Sequence, residues 1–146
     1  MTIPTLAQVI DAIESNLSSA TGLVRSESYD ELTEGIPETP LLQVYPESGE
    51  PDLQTYKRRI EKIVIHADLY ARQRSQIGED MAKAVTMAEA IFARLRAQDP
   101  NTNNQLFGLD GIRKFTWTWA RAVFEYGDPA TRYAGIRFVI TIWIDR

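Results

Sequence analysis

His66 is the only histidine of the chain, and Asp68 follows it by two positions in a run of alternating residues. Both side chains therefore share one face of a strand. An imidazole beside a carboxylate is material for acid–base catalysis. A working site also needs a matched nucleophile or further metal ligands, and no neighbouring motif supplies either. Carboxylates gather at Glu27, Asp30, Glu31, Glu34 and Glu38, and again at Glu47, Glu50 and Asp52. Paired carboxylates can hydrolyse or can hold magnesium or calcium. Neither group has EF-hand spacing or another ordered ligand set, so both read as solvated loops.

Lys57, Arg58, Arg59 and Lys62, then Arg72 and Arg74, flank the apolar part of one long segment, with Tyr56 and Tyr70 nearby. Such a set could follow a nucleic-acid backbone. Glutamates alternate with the arginines, and no RNP signature, helix-turn-helix or zinc-finger spacing occurs. The cations read better as charge guarding strand ends or bridging a neighbouring chain. Phe115, Trp117 and Trp119 alternate toward one side and could stack bases, but core beneath a covering helix is the simpler expectation. Gly108, Gly111 and Gly135 read as turn glycines, because neither GxGxxG nor GxxxxGK[ST] is present. The expectation is a chain with no catalytic residues, no cofactor and no metal.

The elements that position these residues show in the periodicity. Thr5 and Gln8 form a capping box ahead of a helix whose face is Leu6, Val9, Ile10, Ile13 and Leu17. An edge strand is expected at residues 23–28 and a short strand at 41–45. Pro46 and the turn-rich ESGEPD sequence, residues 47–52, predict a hairpin tip. Ile63, Ile65, Ala67 and Leu69 alternate with Val64, His66, Asp68 and Tyr70 in a strand long enough to extend past its neighbours.

A polar joint at residues 72–78 leads into a helix with Ile77, Met81, Ala84, Val85, Ala88, Ile91, Phe92 and Leu95 on one stripe. Glu79 and Asp80 start it, Arg94 and Arg96 end it, and Glu79 and Lys83 make an i,i+4 pair. Two strands close the chain, at 112–126 and 135–145, joined by a connector at 127–134. In the last strand Ile136, Phe138, Ile140, Ile142 and Ile144 oppose Arg137, Val139, Thr141, Trp143 and Asp145. Val139 and Trp143 are large for a solvated face, which leaves open a covering partner or ordinary surface apolar residues.

The fold class is α+β: a mainly antiparallel sheet with two α-helices packed on one face, in the order α-β-β-β-α-β-β. At 146 residues the chain fits a single domain, 1–146, with a core that requires no disulfide or metal. Absence of cysteine excludes disulfides, zinc–thiolate sites and thiol catalysis, and suits a reducing cytoplasm. A formal charge of −4 argues against general nucleic-acid binding. No apolar run reaches the ~18 residues of a membrane span, and the first residues lack a signal-peptide core.

The order of elements, with PLLQVYPES, KIVIHADLYARQR and GEDMAKAVTMAEAIFARL in succession, resembles the tail terminator, or tail-completion, proteins of long-tailed bacteriophages. The resemblance spans nearly the whole chain and rests on element order and size. It implies a structural virion protein, assembled in the host cytoplasm, that forms a homo-oligomeric ring, typically a hexamer, on the head-proximal end of the tail. The implied partners are the tail tube protein and a head–tail connector or neck protein. No membrane and no specific nucleic-acid binding are implied, with DNA free to pass through the ring.

The family has no catalytic residues to carry over. Candidate contact residues come instead from charge and position: Glu47, Glu50, Asp52, Arg58, Arg59, Arg72, Arg74 and Trp143. Another neck adaptor is the nearest alternative. A small ligand-binding module or enzyme using surface carboxylates and His66, or a single-stranded nucleic-acid binder, would belong to other classes.

Overall fold

The computed structural model describes residues 3–19, 25–28, 41–55, 58–73, 77–98, 105–126 and 131–145, with side chains for 3–19, 41–51, 60–70, 84–98, 105–124, 133, 135–145. Helix α1 (Leu6–Ser18) is followed by β1 (Arg25–Ser28), β2 (Leu41–Thr55) and β3 (Arg58–Gln73), then helix α2 (Ile77–Arg96), β4 (Ile112–Tyr126) and β5 (Thr131–Asp145). The strands form one sheet in the order β1-β2-β3-β5-β4. Among the described strands, only the β1–β2 pair is parallel. This is the expected α+β class and element order.

Local chemistry starts α1 where the capping box lies. The Gln8 amide donates to Thr5 Oγ1 at 3.2 Å, and the Thr5 amide donates to Gln8 Oε1 at 2.8 Å. Two of the amides that a helix start leaves unpaired are thereby satisfied. Val9, Ile10, Ile13 and Leu17 of α1 then meet Ala84, Ala88, Ile91, Phe92 and Leu95 of α2 over one side of the sheet. That side presents Leu42, Val44, Ile63, Ile65, Ala67, Leu69 and the even-numbered residues from Ile136 to Ile144. Each fully buried large aliphatic side chain contributes roughly 1.5–3 kcal/mol, so this layer dominates stability.

The opposite side carries a smaller apolar cluster, Leu41, Tyr70, Phe124 and Tyr133. Tyr70 and Phe124 stack with centroids 4.5 Å apart. Gly135 lies against them inside β5 and is buried, so it is no turn glycine. A Cβ there would fall 2.1 Å from the Leu69 carbonyl oxygen and 2.7 Å from Phe124 Cε2. Close passage of the neighbouring backbone requires glycine at this point. Gly108 and Gly111 do sit in a turn, with φ of 70° and 84°.

Several expectations are corrected. The ESGEPD sequence is strand: Ser48 pairs with Val64, Glu50 with Lys62 and Asp52 with Ile60, so the link to β3 falls at residues 56–57. Proline is tolerated because, among the described residues, β1 covers only residues 41–44 of β2. Beyond them the missing N–H of Pro46 and Pro51 can face an unpaired margin. Strand β3 does not outrun its neighbours, since β2 and β5 accompany it along nearly all its length. Strand β5 begins at Thr131, which shortens the preceding connector to residues 127–130. Trp119 and Val85, expected in the core, are 53% and 47% accessible, Leu6 of α1 is 40% accessible, and Val123 of β4 is 46% accessible. The cause for the β4 residues is position, since β4 is an outer strand and α2 lies over β3 and β5. The Glu79–Lys83 pair, the side chains of Ile77 and Met81, and the acidic segment 29–38 lie outside the described residues.

Candidate interaction surface

The helix-free side of the sheet holds the densest polar chemistry. Alternation puts Gln43 and Tyr45 of β2, His66 and Asp68 of β3, and Arg137 of β5 on it, and the strand register makes Asp68 the neighbour of both Gln43 and Arg137. Asp68 is 2% exposed. A buried carboxylate is tolerable only when paired, and three donors supply the pairing. Arg137 Nε donates to Oδ1 at 2.8 Å, Arg137 Nη2 donates to Oδ2 at 3.1 Å, and the Tyr45 hydroxyl donates to Oδ2 at 2.6 Å. Arg137 Nη2 also reaches the Tyr45 oxygen at 3.3 Å.

His66 stands at the rim of this network. Its Nδ1 lies 3.4 Å from the Tyr45 oxygen and 3.7 Å from Glu47 Oε2. The Tyr45 hydroxyl donates to Asp68, so the Tyr45 oxygen and the Glu47 carboxylate both offer lone pairs toward that nitrogen. His66 and Asp68 thus face the same way without forming an acid–base couple. Burial, followed by the Asp68 hydrogen bond, raises the Tyr45 phenol above its ordinary pKa. The same carboxylate, through its hydrogen bonds, raises the Arg137 guanidinium. A phenol held protonated beside a neutralised carboxylate is poor material for proton transfer and good material for rigidity.

Further along the same face, Trp143 lies between two cations. Lys114 Nζ is 4.3 Å and Lys62 Nζ 5.9 Å from its ring centroid, and Lys62 also meets Glu50 at 3.6 Å. Register explains the grouping, because Trp143 of β5 pairs with Lys62 on one side and Lys114 on the other. A depression of about 230 Å³ beside them is lined by Ser48, Gly49, Glu50, Lys62 and Val64. That is smaller than the roughly 300–1,000 Å³ of typical small-molecule pockets.

Of the contact residues expected from sequence, Glu50 and Trp143 are brought together around Lys62. Glu47 belongs instead to the His66 rim. Both glutamates lie along β2 and not on a projecting loop. The side chains of Asp52, Arg58, Arg59 and Arg72, and all of Arg74, lie outside the described residues. Tyr45, Arg137, Lys62 and Lys114 were missed as members of these groups. Alternation gives each residue its face, but only strand pairing shows which strands are neighbours.

Among the described residues, no group of three or more His, Cys, Asp or Glu could hold a metal ion, and no helix is long and apolar enough to cross a membrane. Compared with known proteins, the sequence matches no family model and no curated protein.

Proposed function

We propose that this chain is a structural subunit of a phage or phage-like particle, forming a ring on the head-proximal end of a tail tube. The ring ends tube growth and offers the surface on which the head-side connector docks. The observation that carries the reading is the one-sided sheet. Both helices back one face, while the other presents Val139, Thr141 and Trp143 half-buried and framed by lysines over a fixed polar network. A tryptophan flanked by cations on a rigid face is the kind of anchor that protein contacts use. The element order resembling tail terminators supplies the particular assembly.

The physics of such a role is specific. Head-to-tail contacts close into a ring when their rotation divides the circle. A terminator must in addition match the tube end on one ring face and reject a further layer on the other. Glu50, Lys62, Lys114 and Trp143 provide charge and shape with which to discriminate. Purified protein added to polymerising tube subunits should arrest elongation and leave a ring on one end of each tube in electron micrographs. Tubes that keep growing with bare ends would contradict the proposal.

A further inference from the structure

The two outer margins of the long-stranded sheet are built differently. Past Val44, the margin of β2 carries Pro46 and Pro51 and is broken by irregularities at Pro46/Ser48 and Leu53/Thr55. Such features stop a sheet from recruiting another strand. Strand β4 has only one irregularity, between Ile112 and Lys114. From Lys114 to Tyr126 it runs in unbroken register with β5 and contains neither proline nor glycine. Among the described residues, no strand pairs with its outer side. Trp119, Arg121 and Val123 on one face and Thr116, Thr118 and Ala120 on the other are all exposed.

We propose that this margin pairs with β4 of a second copy of the chain, antiparallel about a two-fold axis at Ala120, joining two sheets into one. The register follows from the extent of the regular strand. Residues 114–126 have their midpoint at 120, so only this pairing uses the whole stretch and leaves the irregularity outside it. Residues directly opposite share a face in an antiparallel pair. Arg121 of each copy therefore falls opposite the partner's Trp119, setting a guanidinium against an exposed indole twice per dimer. Lys114 falls opposite the partner's Tyr126 and Val123 opposite the partner's Trp117, so no two cations of the overlap face each other. At the axis, Ala120 is small enough for two strands to approach.

The pairing stands apart from the ring reading. A two-fold pair has equivalent ends and cannot itself be an asymmetric cap, so it describes the protein free in solution and survives if the ring fails. The chain has no cysteine, which makes Ala120→Cys a single-thiol reporter at an exposed position. Sedimentation equilibrium of the full chain over a wide concentration range should show a reversible dimer. Mild oxidation should trap A120C as a covalent dimer while a Ser48→Cys control on the β2 margin stays monomeric. Arg121→Glu should weaken the dimer roughly ten-fold through loss of both cation–ring contacts, with thermal stability unchanged at concentrations low enough that both proteins are monomeric. A single-chain mass at every concentration would overturn the proposal, and so would a dimer that A120C traps no better than S48C.

Discussion

Arg137 and Asp68 face each other across β5 and β3, joined by two hydrogen bonds of 2.8 and 3.1 Å. The partners differ in burial, since the Arg137 side chain is 38% exposed while that of Asp68 is 2% exposed. The guanidinium can find water if its partner is removed, but the carboxylate cannot. Arg137→Leu should therefore cost about 3–5 kcal/mol, the range for orphaning a buried charge, and Asp68→Leu distinctly less. The double replacement should recover much of the loss. Denaturant unfolding of the three variants checks this, and equal losses in both single variants would contradict it.

Tyr45 should be silent in an alkaline titration of the folded protein. Its folded pKa is raised above the unfolded value, so the linked stability is fully present below about pH 10 and declines as pH rises beyond it. Tyr45→Phe should lower stability near neutrality by about 1–2 kcal/mol, because Asp68 loses a donor. The variant should also show a shallower fall in stability above pH 10 than the parent. Unfolding measured at a series of alkaline pH values would expose the difference.

Gly135→Ala should destabilise the protein by about 1–3 kcal/mol through overpacking, although alanine favours strands no less than glycine. The added methyl group would meet the Leu69 carbonyl, which belongs to backbone and cannot swing aside. A thermal midpoint lowered by several degrees is expected for a chain of this size. An unchanged midpoint would mean that β3 and β5 are not so close there.

Much of this architecture is legible in the sequence. Alternation from Ile63 to Leu69, the isoleucines of β5 and the stripe from Ala84 to Leu95 each reveal their buried side, because one-faced burial imposes the period. Pro46 and Pro51 misled because proline ends a central strand but not an unpaired margin, and margins are a property of the assembled sheet. Trp119 misled for the same reason, since its ring meets Phe92 of α2 as that of Trp117 does, yet on an outer strand it stays 53% accessible. The Asp68–Arg137 pair joins residues far apart in the chain, and no local pattern encodes it.

Lys62→Glu combined with Lys114→Glu should test the surface around Trp143. Both lysines project from the helix-free face, so the variant should fold with stability within about 1 kcal/mol of the parent. Under the proposed function it should lose head joining or tube capping in an assembly assay. Full assembly activity in a folded variant would remove this patch from the contact surface.

The most direct measurement is the length of tails made without this protein. Electron micrographs of particles from a phage or prophage deleted for it should show tubes longer than the parent's, of uneven length and detached from heads. Tails of normal, uniform length would contradict a terminating role and favour a head-side adaptor.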